Sequence, residues 1–277
     1  ILSERDDEQK DPRALSNALA HYHRYGSKSR YLKRPSDGDL HASSVASLTQ
    51  SLLEAFEVKR SILYYGPRSL EEITSITKDS FLGKEPTRDV PDFLPDRSLS
   101  PDTNQVFFLQ KEMAQAQVRL EFAAGTYDEE KAPLGQLYNE YFGGGMAGLV
   151  FQELREARAL AYSAWAHFFT PSRPQDENIL VGAIGCQADK TIEAVHAFIG
   201  LLDQMPFNQT RWESAHASVL SAYRTNPISS RSIPGFVYDF KALELEQDPR
   251  PTRYKNLQNA ELDNLRGFYK NVIQPYS

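Results

Sequence analysis

One stretch of this chain, Tyr141 to Ser163, concentrates residues that could do chemistry: YFGGGMAGLVFQELREARALAYS. Gly143, Gly144 and Gly145 form a glycine-rich turn ahead of a helical pattern, and the free backbone N–H groups at such a helix start could meet an anion. The spacing fits neither a P-loop, which needs a following Lys-Ser/Thr, nor the GxGxxG dinucleotide turn. Taken alone, the three glycines read as a tight interhelical turn with close packing. Arg155, in the last turn of that helix, would by the same reading answer the helix dipole, and Tyr162 would fill the core. Elsewhere, Glu193-x-x-His196 and Glu213-x-x-His216 sit on successive helical patterns, as in di-iron carboxylate bundles. Those bundles have no sheet, and this chain shows several strands, so the four side chains are expected at solvated or core-edge positions. Cys186 ends an apolar strand and reads as a small buried hydrophobe. Ser163 lacks the Gly-x-Ser-x-Gly elbow of a serine hydrolase, and Asn208-Gln209-Thr210 matches a glycosylation sequon only as a three-residue coincidence.

Bulk composition narrows the class. The 277 residues suffice for one and a half or two domains, and 40% hydrophobic with 25% charged side chains describes a globular chain. With 31 basic against 37 acidic side chains the net charge is −6, so the basic footprint needed for nucleic acid is missing. One cysteine excludes an internal disulfide and a multi-cysteine zinc site, and it leaves the compartment, periplasmic or cytoplasmic, open. No run of about 18 apolar residues offers a membrane span. The opening Ile1-Leu2-Ser3-Glu4 has neither an initiator Met nor a basic-then-apolar leader, which reads as an excised fragment.

Positioning elements follow from periodicity. Asp11-Pro12 opens a helix carrying Leu15, Leu19 and Tyr22 up to Gly26, and a second helical run holds Val45, Leu48, Leu52, Leu53 and Phe56. Ile62–Tyr65 closed by Gly66-Pro67 reads as a strand and turn, and Ser69-x-x-Glu72 as a capping box. Gly83–Ser100 reads as an irregular connection and Gln105–Leu109 as a strand. Ala116, Val118, Leu120 and Phe122 alternate with Gln117, Arg119 and Glu121, the period of a half-buried strand. Further helices are expected near 128–142, 147–158, 189–205, 210–225, 234–247 and 260–273, with strands near 160–169 and 178–186. Grouped strands and paired helices without βαβ alternation predict an α+β fold, a two-layer sandwich with a mostly antiparallel sheet packed by helices.

The block Leu149-Val150-Phe151-Gln152-Glu153-Leu154-Arg155 joined to Leu160-Ala161-Tyr162-Ser163 resembles the C-terminal, non-zinc half of M16 zinc metallopeptidases, the family of pitrilysin, insulin-degrading enzyme and the mitochondrial processing peptidases. The order of elements from Ser61 to Gln274, including Tyr65-Gly66-Pro67 and Leu265-Arg266-Gly267-Phe268-Tyr269, is similar to one domain of that family. The resemblance implies the metallohydrolase fold of M16 peptidases. It also implies that Arg155 and Tyr162 reach a zinc site in the other half of the enzyme and hold the substrate carbonyl or the tetrahedral oxyanion, with Gly143, Gly144 and Gly145 along the substrate. The residue types agree, since a guanidinium fork and a phenolic O–H both donate to a developing oxyanion. The family's catalytic His-x-x-Glu-His is absent: His21, His23, His41, His167, His196 and His216 never take that spacing.

The expectation is therefore a split site. Residues 1–60 are expected to be a helical remnant of a preceding M16-like domain and residues 61–277 a C-terminal-type domain. A zinc-bearing N-terminal half or partner subunit would bind the zinc, this chain none, and a peptide would be cleaved between them. The alternative is a non-catalytic M16-like partner subunit or scaffold acting by protein–protein contact.

Overall fold

The computed structural model describes residues 1–80, 85, 86, 88, 89 and 104–276. These fall into two compact units, one of residues 1–32, 96–227 and 240–277, the other of residues 33–95 and 228–239.

The first unit is built on three antiparallel strands, β1 (Gln115–Thr126), β2 (Ser163–Phe169) and β3 (Glu177–Gln187), in the order β1-β3-β2. In the register Val118 faces Ile184 and Phe122 faces Leu180, and on the other side of β3 Ala164 faces Ile184 and Phe168 faces Leu180. Because strand side chains alternate between faces, these residues share one apolar side of the sheet. Six helices cover or flank that side: α6 (Ala132–Tyr138), α7 (Leu149–Phe151), α8 (Thr191–Asp203), α9 (Gln209–Thr225), α11 (Arg250–Gln258) and α12 (Leu262–Phe268). Tyr138, Tyr141, Phe142, Leu154, Phe198, Leu202, Leu257 and Leu265 are fully buried between the layers. Gly182 lets α8 approach the sheet, since a Cβ there would lie 2.2 Å from the Phe198 ring. The α+β architecture with an antiparallel sheet packed by helices is thus the one the patterning predicts.

Two polar clusters fix the C-terminal end of β1. Near its C-terminus the register breaks between Ala123 and Thr126, and the buried amide of Asn178 donates to the carbonyls of Ala124 (3.4 Å), Gly125 (3.1 Å) and Thr126 (2.7 Å). Asn178→Leu leaves these carbonyls without that donor and is expected to cost about 1–3 kcal/mol, read as a lower urea midpoint at unchanged slope. Just beyond, Arg253 of α11 grips Glu129 through Nε (2.7 Å) and Nη2 (2.5 Å), and the Tyr127 hydroxyl also donates to Glu129. Burial opposes ionisation of Glu129, yet the Arg253 and Tyr127 hydrogen bonds and the Arg253 charge prevail and hold its pKa below the ordinary 4.5. Burial, followed by the hydrogen bond to Glu129, pushes the Tyr127 hydroxyl up to about 12. A depressed carboxylate stabilises the fold above its unfolded pKa and ceases to as pH falls through its folded one. Arg253→Leu is therefore expected to lower stability at pH 7 by about 1–3 kcal/mol and to flatten the loss of stability on acidification below about pH 4.5, measured by denaturation at stepped pH.

Ahead of the sheet lie α1 (Leu2–Glu8) and α2 (Pro12–Tyr25), the latter capped by Asp11, whose Oδ1 accepts from the N–H of Arg13 at 2.7 Å. In the second unit Ser36 and Ser44 cap α3 (Asp37–Ala42) and α4 (Val45–Ala55). Ser69 and Glu72 form the expected capping box of α5 (Leu70–Lys78) at 3.2 and 2.9 Å. A single parallel bridge joins Val58 to Arg88, and most of α10 (Ile233–Ala242) belongs to this unit.

Two expected strands do not form. Ile62–Tyr65 and Gln105–Leu109 have strand-like composition but no ladder partner among the described residues, and their large apolar side chains stay exposed, Val106 at 92%. A strand needs a paired backbone and a face to bury, and neither segment has them. The connection expected at Gly83–Ser100 lies almost entirely outside the described residues. Helix α11 was not anticipated, because of its nine residues only Leu257 is buried and no apolar stripe marks it.

Candidate functional site

The chain between Arg155 and Tyr162 is a helix end, a forced turn and a strand start. After Leu149–Phe151 the helix widens into a π-turn over Gln152–Ala157, which carries Arg155. Such widened turns recur at functional positions. Ala159 then takes a left-handed φ of 49°, and the Leu160 N–H returns to the Leu154 carbonyl at 2.9 Å, which closes the helix end. A left-handed alanine is a strained choice that the surrounding packing must hold. Buried Leu154 and Leu160 anchor either side of it. The Tyr162 N–H bonds to the Gly185 carbonyl at 2.8 Å, and β2 begins at the next residue.

Neither side chain behaves as packing or composition alone suggests. The Arg155 side chain is 48% exposed, with its guanidinium 4.8 Å from the Phe151 ring centroid and its Nε 3.6 Å from Glu156. Tyr162 is 52% exposed, so it does not fill the core. Its hydroxyl accepts a hydrogen bond from Nε2 of Gln187 at 2.9 Å. A phenol that accepts one hydrogen bond keeps its own proton to donate. Gln187, at the end of β3, thus holds the Tyr162 hydroxyl, a contact that sequence spacing does not announce because it depends on strand register. No hydrogen bond joins Arg155 to Tyr162.

The glycines are explained first by steric need. A Cβ on Gly143 would sit 1.8 Å from the Ala166 carbonyl oxygen, one on Gly144 2.7 Å from the Glu140 carbonyl, and one on Gly148 2.7 Å from the Gly144 nitrogen. Gly145 has φ +53° and opens to free space beside Met146, which is 76% exposed. The carbonyls beyond the turn are occupied: Met146 accepts from Gln152 at 2.5 Å and Ala147 from Arg211 at 2.6 Å.

The remaining polar candidates are structural. His216 bonds the Leu257 carbonyl at 2.6 Å and stacks on Trp212, Glu213 accepts from Gln209, and Glu193 pairs with Lys190. Cys186 is buried, and the Asn208 side chain caps α9 through the N–H of Arg211. Among the described residues no three His, Cys, Asp or Glu side chains gather as a metal site. No described helix is long and apolar enough to cross a membrane.

The model of the peptidase M16 inactive domain matches residues 61–219, which include the whole Gly143-to-Tyr162 block. The chain belongs to this family. Solved structures agree in fold. The peptidase M16 inactive domain from Pseudomonas fluorescens superposes with a TM-score of 0.71 at 15% identity, covering 98% of this chain and 65% of that one. A conserved protein from Enterococcus faecalis gives 0.67 at 14% identity over 97% and 63% of the two chains. A protease from Helicobacter pylori gives 0.60 at 14% identity over 86% and 57%. The present chain thus spans between 57% and 65% of the length of these three. No curated protein matches it in sequence.

Proposed function

We propose that this M16 inactive-type domain completes the active site of a zinc-dependent endopeptidase whose zinc lies on another half of the enzyme. The observation that carries the reading is the pair of half-exposed donors at one fixed turn, Arg155 with its guanidinium only loosely engaged and Tyr162 with its proton free. Both would donate to the carbonyl oxygen of an extended peptide as negative charge develops on it, while Gln187 holds the phenol in place. Gly143, Gly144 and Gly145 would let the substrate backbone pass close to the turn. The domain boundary near residue 60 belongs to the same reading, and the start of the family match at residue 61 supports it.

A second reading, a non-catalytic M16-like subunit or scaffold, draws on the lack of a metal cluster among the described residues and on the family's own description as inactive. The two readings agree that this chain binds no zinc and differ in what Arg155 does. Purified chain dialysed against zinc is expected to retain far less than one equivalent and to leave peptides intact. Stoichiometric zinc would overturn both readings.

A further inference from the structure

The helical side of the sheet is filled by the core, and its opposite, outer side is only half covered. Across that outer side the register sets three rows, Arg119–Ala183–Trp165, Glu121–Val181–His167 and Ala123–Ile179–Phe169. The β2 end of these rows is open, with Trp165 39% and Phe169 45% exposed. The β1 end is covered by α2. Glu121 is the centre of that cover: its side chain is only 7% exposed and its carboxylate accepts from both Nε and Nη2 of Arg24 at 2.8 Å, while the Arg119 guanidinium (Nε 2.9 Å away) and His23 Nδ1 (3.6 Å) lie beside it as charge partners without a hydrogen bond from Arg119 Nε. Asn17 of α2 accepts from Arg119 Nη1 at 2.8 Å, and the Phe107 ring lies edge-on to Tyr22 and His23.

We propose that α2 is a detachable strap, held over the outer sheet face by Glu121, whose release uncovers a surface running from the Arg119–Glu121 pair to the Trp165–Phe169 aromatics. Three features separate a strap from a core helix. No residue of α2 is buried, and among the described residues no member of the hydrophobic core or of the apolar side chains packed on it precedes Ala116. The hold is ionic and directional, so it fails when one partner is removed, whereas apolar packing degrades gradually. The helix ends at Gly26, with φ +51° in a region that favours glycine, and its last residue, Tyr25, borders a cleft of about 320 Å³ against Phe169 and Ile179 instead of closing on them. This inference is independent of the role proposed for Arg155.

Hydrogen–deuterium exchange on the intact chain tests it. In Glu121→Gln, amides of residues 14–25 are expected to exchange at least about 10-fold faster than in wild type, while those of β3, residues 179–186, stay within about 2-fold. Arg24→Gln, which breaks the same pair from the helix side, is expected to give the same separation, and it decides alone if Glu121→Gln does not fold. Unchanged protection of α2, or loss of protection in α2 and β3 together, overturns the strap.

Discussion

Arg155→Ala in the complete zinc-loaded enzyme is expected to lower kcat by about 10²- to 10³-fold, the usual loss when one oxyanion donor is removed. Zinc content should stay at the wild-type level, because Arg155 is engaged by Phe151 and Glu156 and no group of three His, Cys, Asp or Glu among the described residues could hold a metal. Tyr162→Phe removes a neutral donor from the same oxygen and is expected to cost less, about 10- to 10²-fold. Arg155→Lys keeps the charge but loses the planar fork, so only part of the activity should return. Both side chains are about half exposed, so each variant should melt within about 2 °C of wild type. A kcat loss without zinc loss and without destabilisation separates a role in the transition state from a role in folding. Wild-type turnover in Arg155→Ala and Tyr162→Phe would remove this chain from the chemistry and leave the scaffold reading.

The second large effect concerns stability. Gly143→Ala places a methyl 1.8 Å from the Ala166 carbonyl oxygen and 2.6 Å from its carbon, both backbone atoms of β2 that cannot rotate away as a side chain would. The strand or the turn must move, at a cost of about 3 kcal/mol or more, which for a unit of this size lowers the melting midpoint by roughly 6–12 °C. Gly145→Ala meets no atom but keeps a left-handed φ, so about 1 kcal/mol is expected. Gly200→Ala, in α8 with open space around it, should stabilise by about 0.5–1 kcal/mol. Thermal melts of the three variants therefore rank Gly143 far below Gly145 and Gly200 above wild type. Equal, small effects at Gly143 and Gly145 would show that the turn does not pack against β2 as described.

Much of this was legible in the chain itself. The alternation from Ala116 to Phe122, the Asp11 cap and the Ser69/Glu72 box each encode a local rule strong enough to survive folding, and all three stand in the structure. The apolar runs at Ile62–Tyr65 and Gln105–Leu109 failed for a non-local reason, since pairing depends on what a distant segment offers. Arg155 and Tyr162 stand out through motif resemblance alone, and composition would have assigned Tyr162 to the core. Its exposure follows from the left-handed turn at Ala159, and no glycine advertises that conformation. Gln187 was invisible for the same kind of reason: its use depends on strand register, which is set by the whole sheet. The half-buried ion pairs at Glu121 and Glu129 join residues about a hundred positions apart in sequence, and spacing cannot announce them.

The central claim, that this domain supplies donors to a site whose metal lies elsewhere, is tested most directly by reconstitution. The zinc-bearing half is assayed on a quenched fluorescent peptide alone, with this chain, and with its Arg155→Ala/Tyr162→Phe form. Hydrolysis is predicted to rise at least about 100-fold on addition of the wild-type chain and to remain near the unaided rate with the double variant. Equal stimulation by both forms, or peptide hydrolysis by this chain and zinc alone, would contradict it.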